Sequence, residues 1–160
     1  MYRKILVPLD GSELAECVLP HVEAMARSCN TGSIILTRVV EPLGLPVGVE
    51  YDIYFRKDLQ EDWQMLELEE KAVAEKYLNQ VADELRKSGC DVRSQVLVGK
   101  VAESLAKYAT EQGADLIVIA THGRSGISRW VWGSIADKLI RHTTIPTLVI
   151  RAVHNKLPSD

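Results

Sequence analysis

Short runs of aliphatic residues alternate along the chain with longer stretches in which apolar residues recur every three or four positions. The aliphatic runs predict five β-strands, at Lys4–Pro8, Ser33–Val40, Asp91–Val98, Asp115–Ala120 and Thr147–Arg151. The fourth run is nearly all apolar, as expected of a central parallel strand buried on both faces. Because strands and helices alternate, we predict an α/β fold, a Rossmann-like open, mainly parallel five-stranded sheet with helices on both faces.

The first predicted helix begins after the turn at Asp10-Gly11-Ser12, where Ser12 is a candidate N-cap. Pro20 lies inside this stretch and is expected to kink the helix, because proline lacks an N–H donor and clashes with the preceding turn. The apolar face of this helix consists of Leu14, Val18, Val22 and Met25.

A long connection from Glu41 to about Lys57 leads into a long, charged helix that runs to Lys87 and closes at Ser88-Gly89. A third helix stops at Gly113, and a fourth spans about Ser134 to His142. The apolar face of the long helix is predicted from i+4 steps, at Val73, Tyr77, Val81 and Leu85.

Composition narrows the class of protein. The chain has 160 residues and a formal net charge of −3, with 46% hydrophobic and 26% charged residues, which predicts one globular domain over residues 1–160. A slightly acidic chain is unlike a nucleic-acid binder, and no apolar run reaches the roughly 18 residues of a membrane helix. Three scattered cysteines predict neither a disulfide scaffold nor a zinc site. We therefore expect a cytoplasmic protein.

The loop after the fourth strand is the strongest candidate for a binding site. In an open parallel sheet, ligands bind at the carboxyl ends of the strands. This loop carries several glycines, adds Arg124 and Arg129, and ends at Gly133-Ser134, which open a helix with Ser134 as its candidate N-cap. A helix N-terminus attracts phosphate, so the sequence predicts a phosphate site here.

Motifs for other chemistries are absent from the sequence. There is no GxxxxGK[ST] loop, no GxGxxG after the first strand and no HExxH. The segment Gly123–Ile127 resembles a nucleophile elbow, but Ile127 stands where the second glycine belongs. We therefore predict no catalytic and no metal-ligating residue, and an enzyme is not the expected class.

Three segments resemble the universal stress protein family. The loop matches the family's nucleotide signature G-x2-G-x9-G-[ST], with the nine-residue spacing between Gly123 and Gly133 intact and Ala120 in place of the first glycine. The opening segment 4–12 and the closing segment 145–150 resemble the family's first and last strands. The resemblance covers about residues 2–151.

The resemblance implies that the chain binds ATP, together with Mg2+. At the matching positions, Asp10 would contact the ribose or adenine, and Val39 would pack beside the adenine ring. The glycines and Ser134 would offer N–H groups and a hydroxyl to the phosphates. The full set of implied ligand-binding positions is Asp10, Val39, Ala120, Gly123, Gly133, Ser134 and Ile135.

The resemblance also implies a homodimer formed through the last strand, around Val149. The function we predict is that of a nucleotide-gated stress-response dimer that signals to an unidentified protein partner. Two alternatives stay open. Ala120, Trp130 and Trp132 favour an interaction protein that binds no nucleotide, whereas a slow ATPase in the same pocket would rest on His122.

Overall fold

The structure, a computed structural model, describes residues 2–29, 32–42, 57–122 and 133–152. These residues form five strands and five helices, and each predicted strand is present with its ends shifted by no more than two residues. The strands are β1 (Lys4–Pro8), β2 (Ser33–Val40), β3 (Val92–Val98), β4 (Leu116–His122) and β5 (Thr147–Ala152). The helices are α1 (Glu13–Glu16), α2 (Leu19–Cys29), α3 (Lys57–Lys87), α4 (Val101–Glu111) and α5 (Ser134–His142).

All five strands are parallel, in the order β3-β2-β1-β4-β5. The chain builds outward from β1 to β3 and then returns to place β4 on the other side of β1. The strand order therefore reverses between β1 and β4. In an open parallel sheet, such a reversal places a crevice at the carboxyl ends of the two strands.

Apolar side chains of the sheet pack on helices at both faces, which confirms the predicted fold class. On one face, Ile5 and Val7 of β1 pack in a core with residues of α2 and α3. On the other face, Leu6 packs with α4 and α5. Residues 116–119 of β4 are also buried, as the sequence predicts.

The first predicted helix is broken before Pro20, which confirms the effect expected of this residue. Helix α1 ends at Glu16, and α2 begins at Leu19. Because Pro20 has no N–H, it cannot donate to the carbonyl of Glu16, four residues earlier, and its ring would clash there. Pro20 instead occupies the first turn of α2, where no such donor is needed.

The predicted apolar face of α3 is partly wrong. Val81 and Leu85 are buried and Tyr77 is half-buried, but Val73 is 57% exposed. An α-helix turns by about 100° per residue, so a step of four residues overshoots a full turn by about 40°. Residues spaced by several such steps therefore rotate away from the side that faces the core. The buried face instead contains Ala74, Leu78, Val81, Ala82 and Leu85.

Two predicted segments fall largely outside the described residues. Residues 43–56 of the connection before α3 are one, and residues 123–132 of the loop after β4 are the other. Within the described ranges, no helix combines the length and apolar character that crossing a membrane requires.

Asp115 ties the starts of β1 and β4 together. Its carboxylate accepts hydrogen bonds from the backbone N–H groups of Arg3 (2.8 Å) and Lys4 (3.1 Å). Hydrogen bonds to a charged group are stronger than neutral ones, so we expect Asp115→Ala to lower the free energy of unfolding by about 1–2 kcal/mol. Urea denaturation followed by circular dichroism would measure this loss.

Asp91→Ala is the matched control. Asp91 precedes β3 much as Asp115 precedes β4, but its carboxylate makes no side-chain hydrogen bond within the part of the chain that the structure describes. Equal losses of stability in the two variants would contradict the role assigned to Asp115.

Candidate functional site

A cavity of about 220 Å³ lies at the carboxyl ends of β1, β2 and β4, between them and the helices α4 and α5. It occupies the crevice where the strand order reverses. Its lining includes six of the seven positions predicted from the sequence, whereas Gly123 lies outside the described residues. The six are Asp10, Val39, Ala120, Gly133, Ser134 and Ile135.

The N-terminus of α5 opens onto this cavity. Gly133 is the N-cap, and Ser134 is the first helical residue rather than the cap that the sequence suggests. Gly133 has no side chain to accept a hydrogen bond from the first N–H groups of the helix, which lack acceptors within it. These groups and the positive end of the helix dipole favour an anion at this end of the cavity.

Gly133 also contacts β4 across the cavity entrance. Its N–H donates to Oγ1 of Thr121 at 2.8 Å, so this donor is engaged in the structure. Its φ of −50° is available to any residue. Space is the constraint at this position, because a Cβ on Gly133 would lie 3.0 Å from the same Thr121 oxygen.

Asp10 holds the turn that leads from β1 into α1. Its Oδ1 accepts from the N–H of Ser12 at 2.9 Å and from the Ser12 hydroxyl at 2.6 Å. Ser12 in turn caps α1 by accepting from the N–H of Ala15 at 3.1 Å, as predicted. The turn uses one carboxylate oxygen of Asp10, so its structural role is compatible with a second role toward a ligand.

A cluster on the other face of the sheet supports this turn. The Arg38 guanidinium lies 5.5 Å from the centre of the Tyr77 ring and packs against Gly11. The Tyr77 hydroxyl donates to Oε1 of Glu16 at 2.9 Å. Burial, followed by this bond to Glu16, raises the pKa of Tyr77, so its hydroxyl remains a donor. The cluster thereby joins α3, α1 and β2 to the Asp10 turn.

Two threonines provide the buried polarity of the site. Among the described residues, Thr37 and Thr121 are the polar or charged residues that are buried, and both line this cavity. Thr121 accepts from Gly133, whereas the Thr37 hydroxyl has no hydrogen-bond partner within the described residues. A buried polar group left without a partner costs about 1–3 kcal/mol.

The sequence analysis missed Thr37 as a candidate. Its signal is a hydroxyl on the side of β2 that otherwise carries the aliphatic residues Ile35 and Val39. A threonine is common in strands, so the pattern alone does not distinguish it. The cavity and the missing partner make it notable.

Ala120, the one departure from the glycine signature, lies within β4 and pairs with Ile150. Strand backbone suits alanine, so glycine's conformational freedom is not required there. Ala120 lines the cavity and also packs against the core on the face of the sheet covered by α2 and α3.

A bound Mg2+ would rely mainly on phosphate oxygens. In the described ranges, no cluster of three histidine, cysteine or acidic residues can hold a metal ion. Mg2+ is commonly bound by one or two carboxylates together with substrate phosphates, and Asp10 is a carboxylate on this cavity. The site therefore fits a magnesium–nucleotide complex better than a dedicated metal centre.

A larger cavity of about 330 Å³ lies beside α3 and the ends of β2 and β3. Its lining includes Val40, Leu68 and Val98, and none of the positions predicted from the sequence. Glu41, Gln64, Glu67 and Lys71 also line it, but its described lining includes no helix N-terminus that would favour a phosphate.

Comparison with known proteins agrees with this architecture. The model of the universal stress protein family matches residues 1–151. The chain belongs to the universal stress protein family. Among its relatives in the family is a universal stress protein of Methanocaldococcus jannaschii, 28% identical over 156 residues that cover 94% of this chain and 96% of the relative. A second universal stress protein of that organism is 27% identical over 153 residues, which cover 94% of this chain and 83% of the relative.

Solved structures of family members share the fold. That of the first M. jannaschii protein superposes with a TM-score of 0.74 at 29% identity, covering 94% of this chain and 96% of that one. A universal stress protein from Archaeoglobus fulgidus, solved in complex with dAMP, has a TM-score of 0.59 at 22% identity, covering 93% and 98%. Another universal stress protein, solved in complex with cAMP, has a TM-score of 0.64 at 20% identity. The match covers 95% of this chain and 98% of that one.

The contact between Arg38 and Gly11 can be tested by substitution. A Cβ on Gly11 would lie 2.9 Å from Nη1 of Arg38, and the φ of Gly11 is +90°. Gly11→Ala should therefore cost about 1–2 kcal/mol of backbone strain, plus about 0.5–1 kcal/mol for moving the guanidinium from the Tyr77 ring. Urea denaturation gives the free energy of unfolding.

Gly89→Ala serves as the control, because Gly89 has a φ of +86°, close to that of Gly11, and open space around its Cβ position. We expect Gly11→Ala to be the more destabilising substitution. Its excess should vanish in an Arg38→Ala background. An excess that persists there would show that the Arg38 contact is not its cause.

Proposed function

We propose that this universal stress protein binds ATP with Mg2+ in the cavity at the carboxyl ends of β1, β2 and β4. The observation that carries the proposal is the convergence of six predicted ligand positions on one cavity with the N-terminus of α5. The phosphates would lie at that N-terminus, where N–H groups and the helix dipole favour negative charge.

The remaining cavity residues suit a nucleoside. Val39, Val101 and Leu105 offer apolar surface for a base, and Asp10 offers a carboxylate to ribose hydroxyls. The family members solved with dAMP and cAMP support an adenine nucleotide as the ligand class. The choice of ATP follows from the retained spacing of the glycine signature.

We further propose that the protein acts as a nucleotide-gated dimer in stress-response signalling to a protein partner. The ligand would contact α5, and α5 leads directly into β5, an edge strand of the sheet. An edge strand presents unpaired backbone groups that can pair with a second copy. On β5, Leu148 is 40% exposed beside the half-buried Val149. Nucleotide binding and dimer contacts would therefore involve neighbouring elements.

The nucleotide site can be tested with Gly133→Val. Its branched side chain would push against Thr121 and into the cavity entrance, because a Cβ alone already lies 3.0 Å from Thr121 Oγ1. We expect this variant to bind Mg-ATP at least about tenfold more weakly, which corresponds to about 1.4 kcal/mol. Calorimetric titration of nucleotide-free protein measures the affinity.

Lys138→Val is the matched control, since it places the same side chain on α5 at an exposed position away from the cavity lining. Wild-type affinity in Gly133→Val would refute the assigned site. Absence of binding by the folded wild-type chain would instead support an interaction protein without nucleotide. Phosphate release that disappears in Gly133→Val would support the slow ATPase.

The dimer contact can be tested with Leu148→Lys. A charge on the exposed side of an edge strand opposes pairing with a second copy, so we expect the dimer to dissociate at least about tenfold more readily. Ile140→Lys is the control, because Ile140 is also 40% exposed but lies on α5. Sedimentation equilibrium measures the dissociation constant.

The same measurement with and without Mg-ATP tests gating. A nucleotide-gated dimer requires different dissociation constants in the two conditions, since a ligand shifts an equilibrium only through unequal affinity for its two states. Equal constants would contradict gating, and a wild-type monomer at all concentrations would contradict the dimer.

A further inference from the structure

The side chain of Thr37 is fully buried and its hydroxyl has no hydrogen-bond partner among the described residues. The backbone of this residue is engaged, because its carbonyl accepts from the N–H of Leu9 at 2.8 Å. Native proteins satisfy the great majority of buried polar side-chain atoms. Because Thr37 lines the cavity, its unpaired hydroxyl is a candidate for a bond that forms only when a ligand is present.

Thr37 lines the cavity beside the end of β1, where it pairs with Pro8. It comes three residues before the end of β2, which is about 10 Å at the rise of an extended strand. Val39, Val101 and Leu105 line the same cavity with apolar side chains. The other buried threonine, Thr121, already accepts from Gly133 and lies beside the N-terminus of α5. The cavity thus has a region at the N-terminus of α5 that favours an anion, and apolar residues that share its lining with the unpaired Thr37 hydroxyl.

This division matches the two ends of a nucleotide. Phosphates carry the charge and suit the N-terminus of α5, whereas a base has apolar faces and a polar edge of ring nitrogens and exocyclic groups. A threonine hydroxyl can donate one hydrogen bond and accept others, so it can pair with either kind of group on that edge.

We propose that the Thr37 hydroxyl binds the polar edge of the base and makes Thr37 a specificity-determining residue of the site. The inference rests on the nucleotide-binding function proposed above. It also accounts for a threonine between Ile35 and Val39, the aliphatic residues on the same side of β2. In the free protein the unpaired hydroxyl would lower the stability of the fold, and in the complex it would form a hydrogen bond with the base.

Two substitutions separate the hydroxyl from the shape of the side chain. Thr37→Val keeps the branched shape and removes the hydroxyl, whereas Thr37→Ser keeps the hydroxyl and removes a methyl group. We expect Thr37→Val to bind Mg-ATP about tenfold more weakly and Thr37→Ser to stay within about threefold of wild type. Calorimetric titration measures both affinities.

A probe without a base tests where the effect arises. Magnesium tripolyphosphate carries the phosphates alone, so its affinity should be equal in wild type, Thr37→Val and Thr37→Ser. The ratio of the ATP and GTP affinities should change in Thr37→Val and be kept in Thr37→Ser, because these bases differ at their polar edges. The urea midpoint of free Thr37→Val should equal or exceed that of wild type, since an unpaired buried hydroxyl has been removed.

The outcomes distinguish this inference from the proposed function. If wild type and Thr37→Val bind Mg-ATP equally, Thr37 does not recognise the base, and the nucleotide site stands without it. If Thr37→Val weakens tripolyphosphate as much as ATP, the substitution acts through the fold and the inference is overturned. If the folded wild-type chain binds neither nucleotide, the proposed function fails and the inference fails with it.

Discussion

The reversal of strand order at β1 is the constraint on which the site depends. β1 pairs with β2 on one side and β4 on the other, and Ile5, Leu6 and Val7 are completely buried between the two helical layers. Because the strands are parallel, their carboxyl ends meet at one edge, and a reversal of strand order opens a crevice there. Asp10, the end of β2 and the start of α5 meet at this edge through the order of the strands.

The buried polar residues in the described part of the chain, Thr37 and Thr121, both lie at this edge. The two apolar cores lie on opposite faces of the sheet, and the buried threonines lie where β2 and β4 open onto the cavity. The ion pairs in the described residues are exposed pairs within single helices and contribute little to stability. Apolar packing therefore supports the fold, and the buried polar groups are placed where a ligand could pair with them.

Behind the cavity, the cluster around Arg38 illustrates how a distant helix can support the site. Tyr77 lies on α3, 61 positions after its partner Glu16, and its ring lies next to the guanidinium that packs against Gly11. This arrangement requires a glycine at position 11 for two independent reasons, the positive φ and the close guanidinium. Two sets of contacts thus stabilise the turn that presents Asp10. One is the pair of hydrogen bonds that the Asp10 carboxylate accepts from Ser12, and the other is the packing of Arg38 between Gly11 and Tyr77 of α3.

Local patterns along the sequence determined the strands, the α/β class, the break before Pro20 and the glycine-spaced loop, because each depends on residues close in sequence. The resemblance to the family pointed to the individual cavity residues, whereas the local patterns pointed to the carboxyl ends of the strands and to Gly133-Ser134. Three features were decided only by the tertiary structure. The buried face of α3 contains Ala74 rather than Val73, because the positions of a helix that face the core depend on how the helix packs on the sheet. The bond from Gly133 to Thr121 and the unpaired hydroxyl of Thr37 arise from elements far apart in the chain, and no local pattern encodes how those elements meet.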